Sequence, residues 1–121
     1  MFRIVAITAA LVCALLFILL LVTPATYVEN YGVASGIETD FMVRRASPMF
    51  AGLAVLLWLA RGAERSDLRD ALCWAMIVTF IGIGALSIFE YWRSIADARI
   101  LIAAIGEFGL AALFARACRA S

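Results

Sequence analysis

Residues 98–117 read ARILIAAIGEFGLAALFARA, an apolar stretch flanked by Arg99 and Arg116 with a single acid, Glu107, near its midpoint. Twenty helical residues rising 1.5 Å each cover the ~30 Å of hydrocarbon in a bilayer. A segment of this length and composition is suited to lipid, and the rest of the chain contains others like it. Four apolar runs stand out, at about 4–22, 40–61, 67–92 and 95–116. Lipid offers no partners to backbone N–H and C=O groups, so each run is expected to be a helix that satisfies its own backbone.

The composition agrees. Of 121 residues, 66% are hydrophobic and only 16% are charged, and the mean hydropathy is +1.04. A water-soluble domain is nearer half apolar and covers itself with charge. The expected fold is therefore all-α, an integral membrane four-helix bundle forming a single domain over residues 1–121. The formal net charge is +1 and every basic residue is arginine, scattered between apolar runs. No basic face exists for nucleic acid, and the lipid bilayer is the expected partner. Histidine is absent, which removes the usual general base and metal ligand together. Cys13, Cys73 and Cys118 show no CxxC spacing and are read as reduced, small apolar side chains.

The first run could serve as a signal peptide, with Arg3 ahead of it and TPA after it. Its apolar core of ~18 residues exceeds the 7–15 of such peptides, which favours an uncleaved span. In the second run, a helix starting at Ser47 and Pro48 would cover only ~21 Å, too little to cross. A start at Thr39 or Asp40, either of which can cap, with a kink at Pro48, gives a full span. Between these runs, Thr23 as cap, Pro24 at the first helical position and Gly32 at a left-handed end predict a short interfacial helix. Tyr27, Val28 and Tyr31 would lie near one face of it and Glu29 and Asn30 near the other. In the loop ARGAERSDLRD, Gly62 ends a helix, Ser66 or Asp67 starts the next, and the alternating charges predict a solvated turn.

Arg3, Arg61, Arg65, Arg69, Arg116 and Arg119 fall on one side of the four spans; Arg44, Arg45, Arg93 and Arg99 fall on the other. The larger group puts both termini in the cytoplasm. Trp58 and Trp74 then belong to the inner aromatic belt, and Tyr27, Tyr31, Tyr91 and Trp92 to the outer one. Helices in lipid associate through close contact and polar links. Ala75, Thr79, Gly82 and Gly84 on the third span and Ala103, Gly106 and Gly109 on the fourth predict that these two pair across their small residues.

Glu107 lies ~11 residues into its run, about 16 Å below the outer surface. Ionised, unpaired and facing lipid, it would cost at least ~2.5 kcal/mol. It is expected to face the bundle, either protonated or paired. Arg44 and Arg45 are separated from it by ~8–10 Å of depth and would have to reach against the lean of their own side chains. Glu90 matches their depth better. The expected arrangement is an outer polar cluster of Arg44, Arg45, Glu90 and Arg93, with Glu107 below it. Such a group serves either a proton-linked or ligand-binding site or a polar clamp that holds helix register.

The order NYGV, GIETDF, RRASPMFAGLAVLLWLAR, carried by Tyr31, Gly32, Arg44, Arg45, Gly52 and Arg61, resembles small four-span bacterial inner-membrane proteins loosely grouped as DoxX-like. The likeness covers about residues 23–61 and implies a four-helix bundle in the bacterial inner membrane. No residue pattern for catalysis, a cofactor or a metal is present, so an enzyme is not expected. Two readings stand: an accessory bundle acting through helix contacts with itself or a larger membrane complex, and a small proton-linked transporter or ligand-binding protein using Glu107 with Arg44 or Arg45.

Overall fold

The computed structural model describes residues 1–120 and forms helices α1 (Phe2–Val22), α2 (Pro24–Glu29), α3 (Ile37–Ala60), α4 (Asp67–Trp92) and α5 (Arg99–Ala120). No strand occurs among the described residues. Helices α1, α3, α4 and α5 are each long and apolar enough to cross a membrane. Their 21 to 26 residues correspond to ~32–39 Å. The fold is an all-α four-helix membrane bundle, with the short helix α2 between the first and second spans.

The helix ends follow local chemistry, with some departures from the expected caps. Pro24 opens α2, as its fixed φ suggests, but the Thr23 hydroxyl turns back to the Leu19 carbonyl at 3.0 Å and caps nothing. Helix α3 begins at Ile37 behind an extended Gly36, so Thr39 and Asp40 lie inside its first turn and do not cap it. Ser66 does cap α4, accepting from the Arg69 N–H at 3.2 Å. Helix α5 starts at Arg99, four residues later than expected. Ser94 takes a left-handed φ of 63°, which breaks the chain direction, and the Asp97 carboxylate accepts the Arg99 N–H at 2.9 Å.

Pro48 stays inside α3. It has no N–H to give the carbonyl four residues back, that of Arg44, and in lipid such an orphan has no water to turn to. The Ser47 hydroxyl donates to that carbonyl at 2.7 Å. Ser47, fully buried, is therefore a replacement donor and not a helix cap.

The spans pack as two pairs, α1 with α3 and α4 with α5, joined mainly where α1 meets α5. In α1 the buried positions Ala6, Ala9, Ala10 and Cys13 are small, which lets the α3 backbone approach closely. The α4–α5 pairing agrees with the sequence, but of its stripe of small residues only Gly84 is seen to meet the partner helix. Ala75 and Gly82 are exposed, and a Cβ at Gly82, Gly106 or Gly109 would meet nothing within 4 Å. The seam runs through Cys73, Phe80 and Ser87 on α4 and Ala104, Ala111 and Cys118 on α5. A spacing of seven keeps one face turned to a partner helix. Phe80 and Phe114 stack across it at 6.4 Å, and Gly84 accommodates the Phe108 ring.

Two expectations are overturned at the end carrying the termini. Cys73 and Cys118 form a disulfide, with their Cα atoms 6.4 Å apart, because the seam sets them opposite each other. Only Cys13 is a free thiol among the described residues. Arg69 is 7% exposed and does not project from a solvated turn. Its guanidinium lies 4.0 Å over the Phe2 ring and donates to the Ala63 carbonyl at 3.4 Å, linking the start of α1 to the start of α4.

Candidate functional site

The buried apolar cluster, centred on Ala6, Ala9, Leu57, Met76, Phe80 and Phe114, fills the bundle toward the termini. Toward the other end lies a cavity of about 360 Å³ lined by both helix pairs. Val12 and Leu16 from α1, Phe50 from α3, and Phe80 and Ile83 from α4 form its apolar walls. Ala103, Gly106, Glu107 and Leu110 form the α5 wall, and Tyr27 and Tyr31 line the cavity from α2 and the turn after it.

Glu107 faces inward because it occupies the seam of α5: Ala104, Glu107, Ala111, Phe114 and Cys118 alternate in steps of three and four, which holds one side of a helix against its neighbour. With α5 starting at Arg99, Glu107 is eight residues in, or ~12 Å, shallower than the earlier run boundary implied. Ser87, buried on α4, is the polar side chain beside the carboxyl. Its single proton, however, goes to the Ile83 carbonyl at 2.9 Å. Oε2 of Glu107 is buried with no hydrogen-bond partner.

Helix α2 places the tyrosines. Pro24 sets its start, Val28 is buried against α1 and α3, and that orientation brings Tyr27 to the cavity with Tyr31 one turn on. Their rings meet edge to face at 5.4 Å. Burial, then Tyr31 and the nearby Glu107 charge, pushes the Tyr27 hydroxyl well above the ordinary tyrosine range. The turn after α2 is fixed by Gly32, whose φ of +77° disfavours any side chain and whose Cβ would fall 2.7 Å from Asp97 Oδ2. The Asp97 N–H donates to the Tyr31 carbonyl at 2.7 Å. Through this bond the α4–α5 turn and the α2 turn hold each other over the end of the cavity.

The expected outer polar cluster does not assemble. Arg44 Nε donates to the Leu21 carbonyl at 3.2 Å, where the last turn of α1 leaves acceptors open. Arg45 is exposed. Arg93 pairs with Glu90 at 3.4 Å within α4, and Arg99 pairs with Asp97. Helices α3 and α4 belong to different pairs, so Arg44 and Arg45 are not brought to Glu90 and Arg93. Of the five residues expected, Glu107 alone lines the cavity. Tyr27, Tyr31 and Ser87 join it instead. Tyr27 and Tyr31 read in sequence as interfacial aromatics; only the seven-residue seam spacing hinted at Ser87. Comparison with protein families, curated proteins and solved structures finds no match.

Proposed function

We propose that this chain is a small multi-pass protein of the bacterial inner membrane that binds a small amphiphilic molecule in the cleft at Glu107 and releases it in exchange for a proton. Glu107, a wall residue of an apolar cavity of about 360 Å³ whose buried Oε2 finds no hydrogen-bond partner, carries this reading. Sites for small molecules are mostly apolar cavities of roughly 300–1,000 Å³ with a few convergent polar groups. An ionisable group inside a membrane protein points to function by default.

The exchange follows from hydrogen-bond supply. A protonated Glu107 can donate its O–H to Ser87 Oγ, which has lone pairs to spare after giving its proton to Ile83. An ionised Glu107 must find a donor elsewhere, and a ligand supplies it. Tyr27 on α2 and Tyr31 in the turn after it are the titratable groups lining the cavity with the carboxyl, and Ser87 is its polar neighbour on α4. The lining contributed by α1 and α3 is apolar. Helices α3 and α4 do not pack along their length, which supports entry from the lipid side.

The accessory reading, a bundle that joins a larger complex, rests on exposed apolar residues such as Phe41, Met49 and Leu59. Lipid covers these equally well. The DoxX-like resemblance is compatible with either reading, and a cytoplasmic location of both termini remains part of the proposal through the arginine majority. The test is purification in mild detergent or native nanodiscs, followed by mass spectrometry of what stays bound. A small molecule retained by the natural chain and lost from Ala103→Phe, which fills the cavity, is the expected result. A reproducible protein partner with no small molecule, unchanged in Ala103→Phe, would replace this reading with the accessory one.

A further inference from the structure

Resting on the ligand-binding reading of the cleft, we infer that its ligand is a lipophilic ammonium ion, a protonated primary or secondary amine on an aromatic or short aliphatic body. Three observations converge. First, among the described residues no arginine bonds Glu107: Arg44, Arg93 and Arg99 are bonded to the Leu21 carbonyl, to Glu90 and to Asp97. A carboxylate in a low-dielectric cleft without a counter-ion favours a ligand that brings one, and disfavours an anion or a neutral acceptor. Second, Oε2 is an acceptor with no donor, so an N–H suits it better than a quaternary nitrogen, which has no proton to give. Third, the same end of the cavity holds the edge-to-face pair Tyr27 and Tyr31. Aromatic rings beside a carboxylate attract ammonium groups through the ring quadrupole. The volume, about 360 Å³, suits a molecule of the size of a phenylalkylamine and not a whole phospholipid.

The experiment compares 4-phenylbutylamine with 4-phenylbutanol, which share a body and differ in the head group. Binding is read by calorimetry at pH 7.5 to the full chain in phosphatidylcholine nanodiscs, with empty nanodiscs subtracted. An alkylamine is fully protonated there. The amine is expected to bind saturably, one per chain, and at least about tenfold tighter than the alcohol, because both heads can donate to the carboxylate but only the ammonium brings the counter-charge that a desolvated carboxylate lacks. Glu107→Gln removes the counter-charge, so the preference for the amine over the alcohol is expected to disappear. Glu107→Asp keeps a preference for the amine. Equal affinities for amine and alcohol in the natural chain overturn the cation and leave the cleft as a binding site. Heats for both probes that match those of Ala103→Phe overturn the cleft itself. The comparison within the natural chain decides the matter even where Glu107→Gln does not fold.

Discussion

Ser47 and Pro48 form a coupled pair, because each accounts for the other. Pro48 removes a donor from the Arg44 carbonyl, and the Ser47 hydroxyl replaces it at 2.7 Å. Ser47→Ala should destabilise the chain by about 1 kcal/mol, the scale of a hydrogen bond inside a membrane protein. In a Pro48→Ala background the backbone N–H returns, and the same substitution should cost close to nothing. A double-mutant cycle of unfolding in detergent measures the difference; equal costs in both backgrounds would separate the two residues. Neighbouring residues in sequence made this readable in principle, since the carbonyl four back from a proline is always the one orphaned. The sequence reading took Ser47 as a potential cap because caps and back-bonding serines use the same residue type.

The α4–α5 hairpin carries two features that respond to solution conditions. At its outer turn Asp97 accepts from Arg99 Nη2 and Nε and from the Arg99 N–H. The Arg99 side chain first, and its backbone second, hold the Asp97 carboxyl below the usual carboxylate range. A carboxyl whose pKa is lowered on folding stabilises the fold above its ordinary value of about 4 and loses that contribution as pH falls through the lowered value. Amide exchange at the start of α5, corrected for intrinsic rate, should therefore quicken below about pH 4, and Asp97→Asn should abolish the dependence. At the other end, Cys73 and Cys118 face each other near the termini. The orientation proposed from the arginine majority sets that end in the cytoplasm, where thiols are kept reduced. With thiols blocked at lysis, the pair should be found as a dithiol in cells and as a bridge after purification in air. A bridge already present at lysis would reverse the proposed orientation. Reducing the purified protein should lower its stability by no more than about 4 kcal/mol, the loop-entropy ceiling for a bridge of this span.

The whole molecule divides at the turn between α3 and α4, since each helix pair lies wholly on one side of it: α1 with α3, α4 with α5. The two halves meet through α1 and α5 and through Arg69 stacked on Phe2. A chain cut between Glu64 and Arg65, with both halves produced together, should reassemble and copurify, and Arg69→Ala should reduce recovery by weakening the bridge to α1. Failure of the halves to associate would mean that the covalent turn holds the pairs together. The same division explains the cleft. The buried cluster lies toward the termini, and toward the other end the two pairs together line the cavity.

The number of spans, their approximate limits and the short helix before the second were readable from the chain, because lipid forces each apolar run to close its own hydrogen bonds and a run of ~20 residues does so as a helix. That choice is local, so local composition suffices. The inward direction of Glu107 was also within reach, since an acid in such a run is costly anywhere else. Its neighbours were not. Helix pairing and the docking of α2 across the end of the bundle brought Tyr27 and Tyr31 to Glu107 and kept Arg44 and Arg45 from Glu90. In lipid the apolar side chains of one helix find solvent and partner alike. Partner choice then depends on the fit of surfaces from distant parts of the chain, which periodicity along any one of them does not contain.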